Sequence, residues 1–196
     1  VGIGAEFLSS GNKVDIEDSW WTSIGRGPTS PMRYDGDGIH VDGAASRQNI
    51  RRCYIVDIGD DAIDHSNSTF TIEDTVIHDA GDKAVSMTNG SVTVRNALIY
   101  RTGSGVRGSA KVYNSTILSP SPIATPLVLS DSIIWPITLS SCSGMFNNNI
   151  LGTGSDLSCG TANISVDPMF KDAAMCDYSV APNSPALTAS STGGVI

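Results

Sequence analysis

Between Gly38 and Gly103 the chain says nearly the same thing three times, and this constrains its fold more than any other feature. GIHVDGAASRQNIRRCYIVDIG is followed by DDAIDHSNSTFTIEDTVIHDAG and DKAVSMTNGSVTVRNALIYRTG, and the closing glycines Gly59, Gly81 and Gly103 fall 22 residues apart. Repeats of that length belong to solenoids. Other columns keep the same step: Ile50, Ile72 and Val94; Ile55, Ile77 and Ile99; Asp57, Asp79 and Arg101.

Within each unit apolar and polar residues alternate with period two, and β-branched residues dominate, as in FTI and VTV. Alternation of this kind makes short strands and not helix. A coil of two or three strands stacked on copies of itself is a parallel β-helix, with equivalent residues about 4.8 Å apart. Gly59, Gly81 and Gly103 are expected to end their coils at positive φ, which glycine tolerates best. Asp74, Asn96 and Asn114 occupy a second turn column, suited to short polar side chains that accept the left-handed region.

The repeat extends both ways. Ile16 falls in the column of Ile50, across a coil lengthened to 34 residues by a Gly- and Pro-rich insertion at 22–34. Trp20 and Trp21 are adjacent, so one faces the core and the other solvent. After Gly103 the coils shorten to a step of 17, seen in Val112 and Leu129, Asn114 and Asp131, Ile117 and Ile134, then Asn148 and Leu151. From Ser165 the period disappears, as expected of a segment that closes the open end of a core. One domain spanning 1–196, with 165–196 as its closing segment, accounts for the whole sequence. The chain begins in mid-pattern at Val1 and ends abruptly at Ile196, so it is expected to be part of a longer protein.

A formal net charge of −8 argues against nucleic acid as a partner. No run of about 18 apolar residues is present, so no membrane span is expected. Cys142 and Cys159 lie 17 residues apart, one short coil, which suits a disulfide and an extracellular or cell-surface address. Cys53 shares a column with Thr75 and Ala97 and is expected to be a buried thiol, with pairing to Cys176 as the alternative.

The closing segment resembles that of many bacterial right-handed parallel β-helix repeat proteins, in which a DP-hydrophobic-F element, a D-Y/F-aliphatic strand and a SPA tripeptide follow one another. Asp167, Pro168, Phe170, Asp177, Tyr178, Ser184, Pro185 and Ala186 carry the resemblance. It implies an all-β, right-handed solenoid of about six to eight coils, the hand that parallel crossovers generally prefer.

A narrower likeness concerns chemistry. Asp35-Gly36-Asp37-Gly38-Ile39 followed by Gly59-Asp60-Asp61-Ala62-Ile63 resembles the paired acidic elements of polygalacturonase-type hydrolases in the pectate lyase/polygalacturonase-like superfamily. By that resemblance Asp37, Asp60 and Asp61 would be acid and base, and Arg107 would bind a uronate. Inverting hydrolysis needs one protonated carboxyl and one carboxylate that holds water. The next coil departs from the pattern: Gly81-Asp82-Lys83-Ala84 stands where those enzymes carry a G-H-G histidine, and Gly105-Val106-Arg107-Gly108 has no following lysine.

The columns also allow a structural ladder. Asp37, Asp61, Lys83 and Ser104 share one column and Asp60 and Asp82 the next, so Lys83 serves as counter-ion to stacked acids. Calcium on Asp60, Asp61 and Asp82 is a third possibility, since stacked carboxylates are hard oxygen ligands; it would suit a lyase with Lys83 or Arg107 as base. His40, Asp64, Lys83 and Arg33 are further candidates for binding a polysaccharide or cell-surface glycan, with a His40–Asp64 contact expected on the outer face. His65 is expected in the core and His78 in solvent, and no histidine has metal-ligand spacing along the chain. Two functions remain open: a non-catalytic extracellular module for adhesion or glycan contact, or a polysaccharide-degrading enzyme.

Overall fold

In a computed structural model, residues 4–8, 13–25, 36–43, 48–67, 69–136, 138–139 and 144–196 are described. They form an all-β, parallel solenoid. Seven strands, Trp20–Ile24, Tyr54–Ile58, Val76–Ala80, Leu98–Tyr100, Thr116–Leu118, Ile133–Ile134 and Ile150–Leu151, stack one per coil in a seven-stranded sheet. The remaining arms make a ten-stranded sheet. Early coils enter it as separate strands such as Ile63–Ser66 and Thr69–Glu73, whereas the fourth enters as one long strand, Lys83–Arg95.

Register follows the sequence columns. Ile16 pairs with Ile50, Ile50 with Ile72, and Ile72 with Val94. Ile55, Ile77, Ile99, Ile117, Ile134 and Leu151 form a second inward column through consecutive pairings, and all six are fully buried. Each such side chain contributes about 1.5–3 kcal/mol relative to exposure, so the stacked columns supply the cohesion that no single coil has. The shorter step holds as well, with Val112 on Leu129 and Ile117 on Ile134.

The turns differ from expectation in an instructive way. Asp74, Asn96 and Asn114 are left-handed, at φ 50°, 49° and 46°, as short polar residues allow. At the other turn, however, the left-handed residues are Asp57, Asp79 and Arg101, at φ 59°, 56° and 50°, and not the glycines that follow two residues later. Gly59, Gly81 and Gly103 are required by close stacking. A Cβ on Gly59 would stand 2.7 Å from the Gly25 carbonyl oxygen and one on Gly103 2.6 Å from that of Asp82, while one on Gly81 would overlap the Gly59 carbonyl oxygen.

Next to the first turn runs a ladder of buried polar side chains. Thr75 Oγ1 accepts the Cys53 N–H, Ser115 Oγ that of Ala97, and Ser132 Oγ that of Ser115. Asn149 Oδ1 and Asn163 Oδ1 continue it by accepting the N–H groups of Ser132 and Asn149. Each side chain satisfies a backbone group where the chain turns and the strand bonds lapse.

Cys159 is disulfide-bonded and Cys53 and Cys176 are free thiols, Cys53 buried. Cys142, the expected partner of Cys159, lies outside the described residues. Trp21 packs on the core, while Trp20 is 74% exposed.

The closing segment lies against the outer face of the seven-stranded sheet, where its sequence suggested a plug at the open end. Its antiparallel pair Phe170–Asp172 and Asp177–Val180 leads to Ala186, which is buried with the outward-facing Ile133 and Ile150. Tyr178 reaches back to Tyr100, with ring centroids 4.9 Å apart. His78 is therefore not solvent exposed: it is buried, stacks on Tyr100 at 4.5 Å and hydrogen-bonds the Tyr54 hydroxyl at 2.6 Å.

Candidate functional site

The acids gather where each coil leaves its glycine turn and enters the ten-stranded sheet. Pairing of Ile39 with Ile63 and of Ile63 with Val85 sets Asp37, Asp61 and Lys83 in one column, and Lys83 pairs with Ser104. In the adjoining column Asp82 N–H donates to the Asp60 carbonyl. The small residues around them, Gly36, Gly38 and Gly59, let consecutive coils approach closely enough to bury Asp37, Asp60 and Asp61.

These carboxylates are bonded into the backbone of the following coil. Asp37 Oδ1 accepts the Asp61 N–H at 3.2 Å, and Asp61 Oδ1 accepts the Lys83 N–H at 2.9 Å. The Lys83 ammonium lies 3.2 Å from both Asp61 oxygens and 2.5 Å from Asp82 Oδ2. Nearest oxygens of Asp60, Asp61 and Asp82 lie within 4.8 Å of one another. Lys83 thus supplies the positive charge that calcium would bring to this group.

Burial is the main cause that pushes the Asp61 carboxyl up, to about 6, with Lys83 working against it and Asp60 and Asp82 adding to it. Asp37 is raised by burial first, then by the charges of Asp64 and Asp61. Asp60 is raised by burial and by Asp37 and Asp82. Bonds to Asp82 and Asp61 hold the Lys83 ammonium above its ordinary range despite the opposing effect of burial.

His40 and Asp64 stand in register on neighbouring strands of the outer face, with His40 Nδ1 3.2 Å from Asp64 Oδ2. The same nitrogen lies 3.3 Å from Asp37 Oδ2. Strand alternation gives no hint of that second contact, because Asp37 precedes the strand Ile39–Asp42 and is not bound by its two-residue period. Although no histidine has ligand spacing along the chain, the fold therefore brings His40 between two carboxylates.

Other candidates are placed apart. Arg107 pairs with Ser86, which pairs with Asp64, so it lies two strands from the His40 cluster and forms no ion pair among the described residues. Arg33 lies outside the described residues, as do residues 26–34 of the Gly- and Pro-rich insertion. His65 sits inside, paired with Val41 and Met87, bonded through Nε2 to Gln48 and stacked on Phe70 at 4.6 Å. Burial drives its pKa down to about 4.

No helix of the described residues is long and apolar enough to cross a membrane. No curated protein and no solved structure matches the sequence. A model of the family described as "Right handed beta helix region" matches residues 3–117. With that match over more than half of its length, and with parallel coils stacked in the register its repeats dictate, the chain belongs to the right-handed β-helix family.

Proposed function

We propose that this chain is a non-catalytic module of an extracellular or cell-surface protein, a rigid β-helix that presents its ten-stranded face for adhesion or contact with a polysaccharide. The observation that carries it is the bonding of the acids. Asp37 and Asp61 each accept a backbone N–H of the next coil, and Lys83 bridges Asp61 and Asp82. Carboxylates held in this way clasp coil to coil and are poorly placed to hold a water or protonate a leaving oxygen. Oxygens of Asp60, Asp61 and Asp82 within 4.8 Å are also closer than the roughly 6.5–9.5 Å that an inverting pair keeps open for water. The disulfide at Cys159 favours an oxidising compartment.

One observation favours the second candidate, a polysaccharide-degrading enzyme: an Asp61 carboxyl pushed up to about 6 keeps, in mildly acidic solution below that pH, the proton that a general acid needs. A single assay separates the two. Reducing-sugar release and unsaturated-product absorbance are followed on a panel of polyuronides, with and without calcium, for the wild type and Asp61→Asn. The module yields no turnover in either protein; turnover lost in Asp61→Asn would establish the enzyme. Retention on polysaccharide gels, weakened by Arg107→Ala, would show the glycan contact directly.

A further inference from the structure

The contacts of His40 are those of a ligand shared around a centre. Its Nδ1 faces Asp37 Oδ2 at 3.3 Å and Asp64 Oδ2 at 3.2 Å. A ring nitrogen carries at most one hydrogen, so a single N–H would serve two carboxylates, and both separations exceed the roughly 2.7–2.9 Å of a charge-assisted bond. They agree with the spacing of neighbouring ligands on one ion. Bonds of about 2.0–2.1 Å to nitrogen and oxygen put adjacent ligand atoms roughly 2.8–3.4 Å apart, from octahedral to tetrahedral angles.

Three more features of the cluster point the same way. Asp37 Oδ1 is fixed by the Asp61 N–H, which orients Oδ2 toward His40 as outer bonds commonly orient a ligand. The surroundings are electronegative: Asp60 and Asp61 adjoin Asp37, Glu6 stands in register with His40, and the nearby Lys83 ammonium is committed to Asp61 and Asp82. The side chains of Asp37, His40 and Asp64 are 12%, 25% and 30% exposed, leaving one side open to solvent.

We propose that Asp37, His40 and Asp64 bind one first-row divalent metal ion of the zinc or manganese class through Asp37 Oδ2, His40 Nδ1 and Asp64 Oδ2. One imidazole with two carboxylates suits these ions, whereas calcium prefers oxygen alone. Binding takes the tautomer with its hydrogen on Nε2 and leaves coordination positions on the solvent side for water or a ligand hydroxyl. The site shares Asp37 with the coil clasp, through its other oxygen, and is independent of whether a polysaccharide binds.

The full chain, stripped with a chelator, is titrated calorimetrically with Zn2+, Mn2+ and Ca2+ separately, and with Co2+ while its visible absorption is followed. The site binds one Zn2+ or Mn2+ per chain, and Co2+ gives a spectrum of mixed nitrogen and oxygen ligation. Affinity falls at least about tenfold in His40→Gln and in Asp64→Asn, and is unchanged in His78→Gln. Melting curves recorded without metal establish that each variant is folded, and Asp64→Asn provides the second test should His40→Gln not be. Absence of saturable one-to-one binding of Zn2+ and Mn2+, binding of calcium alone, or binding undiminished in the folded variants would overturn the proposal.

Discussion

Asp61 and Lys83 are joined twice: the Lys83 N–H donates to Asp61 Oδ1 at 2.9 Å, and the ammonium of the same lysine returns to that carboxylate at 3.2 Å. One bond ties backbone to side chain across the coils and the other neutralises a carboxylate that is 6% exposed. Lys83→Met is expected to destabilise the chain by about 2–3 kcal/mol, somewhat below the cost of breaking a fully buried pair because Lys83 remains partly solvated. Urea unfolding at pH 7 measures it. Asp82→Asn, which removes the outer partner only, is expected to cost under about 1 kcal/mol.

Asp61 also sets a pH dependence. Its folded pKa, about 6, lies above the ordinary 3.8, so the folded state holds a proton there that the unfolded state has released. The contribution is fully present below about pH 4 and is lost as pH rises through about 6. Relative to wild type, Asp61→Asn should therefore gain roughly 2–3 kcal/mol between pH 4 and pH 7. A difference between the two proteins that stays flat over this range would show that Asp61 titrates normally.

His65 acts in the opposite sense. Burial lowers its folded pKa to about 4 from 6.5, so the unfolded state takes up the proton first. Its stabilising contribution is complete above about pH 6.5 and is lost as pH falls through about 4. Nitrogen-detected NMR of the imidazole should show a neutral ring at pH 5, with a hydrogen bond to Gln48, while a peptide histidine is mostly protonated.

Gly81→Ala tests whether the glycine column exists for close approach or for backbone freedom. Residue 81 does not have positive φ, yet an added Cβ would overlap the Gly59 carbonyl oxygen, so two coils must part. A loss of about 2–4 kcal/mol is expected by thermal or urea unfolding. Gly194→Ala, where the nearest atom is 3.6 Å from the added carbon, should stay within about 0.5 kcal/mol of wild type.

Asn149 is the busiest rung of the polar ladder. It accepts from the Ser132 N–H at 3.0 Å and donates through Nδ2 to Leu129 O and Asn163 Oδ1 at 2.9 and 2.8 Å. Asn149→Ala leaves buried polar groups without partners and should cost about 2–4 kcal/mol. Hydrogen exchange at the Ser132 amide would accelerate most, and exchange no faster than wild type would rule out the ladder as its protection.

The periodic parts of this molecule were legible in its residues. Ile50, Ile72 and Val94 fall in register because a parallel solenoid repeats its strand pairing once per coil, so equal spacing in sequence becomes adjacency in space. For the same reason the column of Asp37, Asp61 and Lys83, and the meeting of His40 with Asp64, could be read from spacing alone. The residues cannot reveal relationships that break the period. Asp37 turns back to His40 across three residues because it lies before the strand begins, and His78 is covered because the closing segment brings Tyr178 onto Tyr100 from outside the repeat. Even the glycine column carried the right residue for a reason invisible in one coil: the clash that forbids a side chain at Gly81 comes from the carbonyl of Gly59, an atom supplied by the coil stacked next to it. Local patterning thus determined the strands, the period and the core columns, while tertiary packing alone decided which acids are clasped, which are shared by His40, and which faces meet solvent.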